Sequence, residues 1–378
     1  PPSPHTPGHG YAPMRPPLLS DLTRDLRWPR ALRAAGLAMR PQRWVFSCVL
    51  LVVLLLGIRL ADSTAPGRSL FSSFTVAAGR AIDEVTLECT RGDLPAIAAA
   101  TGRSIRSLLV DTPLSRPLTT LAVLLPLLAI WSVGATALAR MNAVEFGHGS
   151  PAPWTEALAI ALRRWSSSMA ALLVAPIGAG LICLGMAAAG WVLLGIPYVE
   201  AAGSLTYPLL LAGGLVSVLL LVGHGLGKHL ICPAVACEGS DALDAFQRSM
   251  AYVVASPGRF LVYAALGTLQ TALFGVVVWF IATWTSDLAV FASHAWVSPL
   301  GPGEEPGWSR RFADSVTGLC LSVPMLAVAG YALSAYVSVS TITYLLLREH
   351  NDGQDPSDLW QPGMIEGTLA AAPPLAAS

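Results

Sequence analysis

Four side chains able to bind metal or carry protons crowd one stretch of the chain: His224, Lys228, His229 and Cys232. On a helix, His229 and Cys232 stand three residues apart and share a face. A metal ion needs three or four ligands in suitable geometry. Cys237 is the nearest further donor, and its spacing fits no standard zinc pattern. A polar helix end at a membrane surface accounts for the same residues. No metal is expected, and His224, His229 and Cys232 are the candidates should one bind. The overlapping Gly223-His224-Gly225-Leu226-Gly227-Lys228 has the outline of a phosphate loop but fails it. Position 222 is Val where the pattern needs Gly, and 229 is His where it needs Ser or Thr.

Glycines in this chain suit helix contact better than phosphate. Gly223 and Gly227 form a small-xxx-small pair, which lets two helices approach closely in lipid. Gly213 with Gly214, and Gly185 with Ala189, can do the same. Gln270 is the strongest polar residue within one apolar run; Tyr331, Ser334, Tyr336, Ser338, Ser340, Thr341 and Thr343 form a hydroxyl stripe in another. They could line a polar path, or bond back to their own helix and fasten neighbours. His294 lies near Asp287, Trp296 and Glu304 in a loop, and no Ser/His/Asp grouping resembles a nucleophile with its base. No catalytic residue and no cofactor are expected.

The elements that position these residues are apolar runs. The chain has 378 residues, 54% hydrophobic and only 12% charged, with a mean hydropathy of +0.59. Soluble domains carry about 25% charged residues, so the deficit points to lipid. A hydrocarbon core about 30 Å thick needs roughly 20 helical residues. Spans are expected near 44–60, 117–139, 166–196, 205–226, 260–284 and 316–347. The expected fold is therefore all-α: a polytopic helical membrane protein of six spans in three hairpins. No Asp, Glu, Arg or Lys lies deep in those runs, which argues against an ion-coupled transporter. More than forty residues precede the first run, which speaks against a standard signal peptide.

Between the runs lie amphipathic pieces. Residues 19–43 are basic, with Leu22, Leu26 and Trp28 on an apolar side, and suit the headgroup plane. Ser20 can cap a first turn. Residues 61–116 are expected to form a helical insert outside the membrane. Residues 151–165 and 240–255 carry further amphipathic helices on the cytoplasmic side, the second capped by Ser240. Residues 197–203 make a tight turn, and 285–313 a Pro/Gly-rich loop. The tails at 1–18 and 348–378 are polar or rich in Pro, Gly and Ala, and are expected to be disordered.

Basic residues set the orientation. With the N-terminus cytoplasmic, fourteen Lys and Arg fall inside and only Arg310 and Arg311 in the two short outer loops; the 61–116 insert holds six more. Both termini are expected inside. Lysine and arginine together equal the acidic residues at 23 each, so no basic field is available for nucleic acid. Six scattered cysteines imply no disulfide framework. Richness in Ala, Gly and Pro, with Lys228 the sole lysine, hints at a bacterial source and hence the cytoplasmic (inner) membrane.

The chain also looks repetitive. Ala143-Val144-Glu145-Phe146-Gly147 precedes one amphipathic helix, Ala234-Val235-Ala236-Cys237-Glu238-Gly239 another, and Ala31–Ala35 would be a degenerate third copy. Each unit is a short helix followed by a hairpin. Glu238-Gly239, Ala242-Leu243, Arg248-Ser249 and Arg259-Phe260, within residues 232–266, resemble the membrane domain of glycerophosphoryl diester phosphodiesterase-type bacterial membrane proteins. The resemblance implies a six-span topology. It implies no phosphodiesterase, because that activity belongs to a separate soluble domain for which this chain has no motif. The expected function is a structural or interaction subunit, a scaffold of a membrane assembly. Its partners would be membrane lipids and other membrane proteins or further copies of itself. The alternative is a permease or lipid-handling protein with a cavity between hairpins.

Overall fold

A computed structural model describes residues 28–64, 70–106, 117–195, 203–294 and 307–365. The expected tail at 1–18, the Ser20 cap with Leu22 and Leu26, most of the 197–203 turn, residues 295–306 and the chain after 365 lie outside the described residues. The protein is all-α, with no strand among the described residues. In order the helices are α1 (Trp28–Ala31), α2 (Arg33–Ala38), α3 (Pro41–Thr64), α4 (Leu70–Arg91), α5 (Leu94–Arg106), α6 (Pro117–His148), α7 (Trp154–Arg163), α8 (Trp165–Leu194), α9 (Tyr207–Glu238), α10 (Ala242–Ala255), α11 (Pro257–His294) and α12 (Trp308–Asn351). Six of them, α3, α6, α8, α9, α11 and α12, are long and apolar enough to cross a membrane. The chain is a polytopic helical membrane protein.

The packing has an inner and an outer ring. Helices α6, α9 and α12 touch one another in pairs and form the centre. Helix α3 wedges between α6 and α12, and α8 between α9 and α6. Helix α11 packs on α12 and stands away from α9, which leaves a gap in the outer ring. The short helices follow a cyclic rule, each seated mainly on the hairpin before its own. Helix α7 lies on α6, α10 on α8 and α9, and α2 on α11 and α12.

Burial is concentrated where the three inner helices converge. Leu138, Met141, Leu230, Ile231, Val235, Ile342, Tyr344, Leu345 and Leu347 are fully buried there. Along the apolar windows little is covered: only 6% of the α9 window is buried within the chain. Side chains such as Leu209, Leu215 and Leu219 are exposed, and lipid tails are their solvent. The inner helices also outrun their apolar windows. Helix α6 continues from the expected end at 139 to His148, and α9 from 226 to Glu238.

Close approaches rely on glycines. A Cβ at Gly330 of α12 would lie 2.3 Å from Cys48 Sγ and 3.3 Å from its backbone nitrogen on α3; one at Gly267 of α11 would meet Val339 at 2.9 Å. Gly330→Ala is expected to lower stability by about 1–3 kcal/mol through overpacking, read as a lower thermal midpoint in detergent. Gly185→Ala, which meets nothing within 4 Å, should stay within about 0.5 kcal/mol.

The segment after Arg348 differs from the expected disorder. Residues 352–365 cross the ends of α6 and α9 as a strap, with Leu359 and Trp360 buried. The Trp360 backbone N–H donates to Cys237 O at 2.7 Å, and the Arg348 guanidinium donates to Asp355 O at 2.9 Å and Asp358 O at 2.8 Å. Polar composition did not foretell this, because the strap is held through its backbone carbonyls and one tryptophan.

Candidate functional site

Two features at and below the convergence could do chemistry: a buried ionic junction and a cleft. The junction is built on the acidic ends of the inner helices. Glu238 closes α9, and Gly239 ends the helix in the left-handed region at φ +59°. That turn aims α10 back over α9. Asp241 caps α10 by accepting from the Asp244 N–H at 2.8 Å. The buried Glu238 carboxylate accepts from Arg248 of α10 and from the Tyr344 hydroxyl of α12, and Arg348 lies 3.9 Å away. Arg248 also donates to Asp244 at 2.9 Å. Burial alone would lower the Arg248 pKa, but Asp244 and Glu238 outweigh it and raise it. Burial raises Tyr252, whose hydroxyl donates to Asp352.

The other two inner helices end similarly. Glu145 of α6 accepts from Arg40 at 2.8 Å and from the buried Arg43, which also donates to Leu37 O at 2.9 Å and Met141 O at 3.0 Å. Glu349 of α12 pairs with Arg30 of α1 at 3.1 Å. With their charges matched in this way, these carboxylates act as clamps joining segments distant in the chain.

The cleft fills the gap in the outer ring. It encloses about 610 Å³ between α11 and α12, with His229 of α9 at its edge. Ligand pockets typically run from roughly 300 to 1,000 Å³. One wall is the α11 face carrying Ala264, Thr268, Ala272 and Val276, spaced by four. The other is the α12 face of Val328, Ala332, Tyr336 and Ser340, with the same spacing. Ala332 and Tyr336 are exposed although their neighbours Tyr331, Leu333, Ser334 and Ala335 are buried. Small residues make the hollow, and Trp279 closes one end. Three of the cleft's five hydroxyls are bonded within the chain, those of Thr268 and Tyr336 being the other two. Thr271 donates to Gly267 O at 2.8 Å, Tyr331 to Thr271 O at 3.0 Å and Ser340 to Tyr336 O at 2.8 Å. The imidazole of His229 packs 5.3 Å from the Phe260 ring and has no hydrogen bond among the described residues. The arrangement suits an apolar guest, with one polar group at the edge. A second, smaller hollow of about 460 Å³ between α3, α6 and α7 has apolar walls throughout.

The residues singled out from sequence separate into distinct places. His224 faces Phe246 at 6.3 Å, His229 borders the cleft and Cys232 is buried; among the described residues no three His, Cys, Asp or Glu are grouped to hold a metal. Gly223 and Gly227 face Met250 of the short helix α10, while Gly213 and Gly214 face Met186 of α8. Gly185 meets open space, and Ala189 is half-buried. Of the polar stripe, Tyr331, Tyr336 and Ser340 line the cleft. Ser334 donates to Ala38 O at 3.0 Å, Ser338 to Asn142 Oδ1 at 3.2 Å and Thr341 to Val337 O at 2.7 Å, all in closed contacts. Gln270 is half-buried with its Oε1 unpartnered, and is not among the cleft-lining residues. Sequence reasoning met Glu238 and Arg248 only as parts of the repeat and the resemblance, and it passed over Tyr344 and Arg348 as junction residues and Thr268, Ala272 and Ala332 in the cleft. The four-residue spacing of small side chains on α11 was the signal available for the latter.

Compared with protein-family models, curated proteins and solved structures, the chain matches none. The likeness of residues 232–266 to the phosphodiesterase-type membrane domains rests on those residues alone.

Proposed function

We propose that the protein is a lipid-handling membrane protein that seats one acyl chain in the cleft beside α11. The observation that carries this reading is the exposed Ala332–Tyr336 face of a centrally placed helix, opposite the small-residue face of α11. A hollow of this size inside the spanning region, lined mostly by carbon and with three of its five hydroxyls already bonded, suits a hydrocarbon guest better than a hydrated solute. The exposed span faces that would favour a scaffold are equally what lipid contact requires, so the scaffold reading has no observation of its own. The setting we propose is the bacterial cytoplasmic membrane, with both termini and the amphipathic helices α1–α2, α7 and α10 at its cytoplasmic face. We also read the chain as three copies of a short helix plus hairpin. The cyclic seating of α2, α7 and α10 supports that reading, and the cleft would be the place where the third copy departs from the other two.

Native mass spectrometry from mild detergent tests the cleft. The wild-type chain is expected to retain one lipid. Ala332→Trp and Ala272→Trp, which fill the hollow, should reduce retention to background while the thermal midpoint holds. Unchanged retention in folded variants would end the proposal.

A further inference from the structure

Nitrogen-bearing side chains lie near one end of the cleft. His229, at its edge, stacks on Phe260 in the first turn of α11. Next to Phe260 in sequence is Arg259, which contacts His350 near the end of α12. Next to His229 is Lys228, exposed and without an ion pair among the described residues. The acids of this region are engaged elsewhere: Glu349 with Arg30, Asp352 with Tyr252 and Glu238 with Arg248 and Tyr344. His229 thus borders the hollow, Lys228 is its neighbour in sequence, Arg259 and His350 meet beyond Phe260, and the first turn of α11 adds its partial positive charge.

We infer that the guest is an anionic phospholipid, its phosphate held at Lys228 and His229 and one acyl chain lying in the cleft. This rests on the acyl-chain reading above and adds the headgroup. The occupant is a membrane lipid because the hollow lies among spanning helices and its walls are mostly apolar, while the exposed Lys228 adjoins His229 at its edge. A lone lysine near a membrane surface is worth about fivefold in affinity for an anionic lipid.

Trp279 provides the probe, because it lines the hollow. The full chain is reconstituted in vesicles of zwitterionic phosphatidylcholine containing a minor fraction of brominated lipid. The Trp279 signal is isolated as the difference between wild type and Trp279→Phe. Brominated phosphatidylglycerol is expected to quench it at about fivefold lower mole fraction than brominated phosphatidylcholine. Lys228→Gln should abolish that preference, and Arg310→Gln should leave it intact. Equal quenching by both lipids in the wild type would overturn the headgroup assignment and leave the acyl-chain reading standing. No quenching by either would overturn both. A preference that survives Lys228→Gln would remove Lys228 from the site.

Discussion

Glu238→Ala is expected to cost about 3–5 kcal/mol of folding stability, the usual result of breaking a buried ion pair from one side. The side chain is 3% exposed and serves three partners on two other helices. Removing it strands Arg348, which is 0% exposed, without the only carboxylate near its guanidinium among the described ion pairs. The loss reads as a lower apparent melting point and less monodisperse protein in detergent. Because the cost is largely that of uncompensated charge, Arg348→Met should add little in the Glu238→Ala background while costing several kcal/mol alone. Additive losses would show that the two residues are not coupled.

Trp360→Ala is expected to cost about 3–5 kcal/mol and to free the strap. The indole is 5% exposed, lies where a Cβ on Gly239 would come within 2.4 Å of the ring, and sits beneath the Arg164 guanidinium at 4.8 Å. It pins residues 352–365 over the α9 terminus. Limited proteolysis should therefore cut within 349–365 in the variant and spare the wild type. A protected strap in the variant would mean that its remaining bonds, among them those from Arg348 to Asp355 O and Asp358 O, hold it without the indole. Gly147 makes the same point at the end of α6, where a Cβ would lie 2.6 Å from Pro356 O.

Much of this architecture was legible because hydrocarbon tolerates few charges. The charge-poor runs around Leu51, Leu124, Leu181, Leu215, Val276 and Leu326 each became a spanning helix. Their ends were harder to read. Arg140, Glu145 and Arg348 look like the polar limits of spans, yet the helices run through them, and α9 runs on as far as Glu238, because each charge finds a partner far away in sequence. Glu145 meets Arg43 at a separation of 102 residues, and Tyr344 meets Glu238 at 106. Such pairings are properties of the fold and leave no local pattern. The hydroxyls show the same division. Ser334 and Ser338 were visible as polar residues in an apolar run, but only the placement of Ala38 and Asn142 makes them fasteners rather than a path. Gly223 and Gly227 were visible as a close-contact pair, and their partner is Met250 of a short helix instead of another span. The cleft was hidden most deeply. It depends on α11 standing away from α9, which no property of either helix alone dictates.

That gap is the centre of the account, and nitroxide accessibility along α12 tests it most directly. Single cysteines at 332, 334 and 338, in a background lacking other reactive cysteines, are spin-labelled in vesicles and exposed to oxygen and to a water-soluble nickel chelate. A cleft open to lipid predicts frequent oxygen collisions at 332, few at 334 and 338, and little effect of nickel at any of the three. A label at 332 as sheltered as those at 334 and 338 would mean that the helices close on one another and that no lipid enters between them.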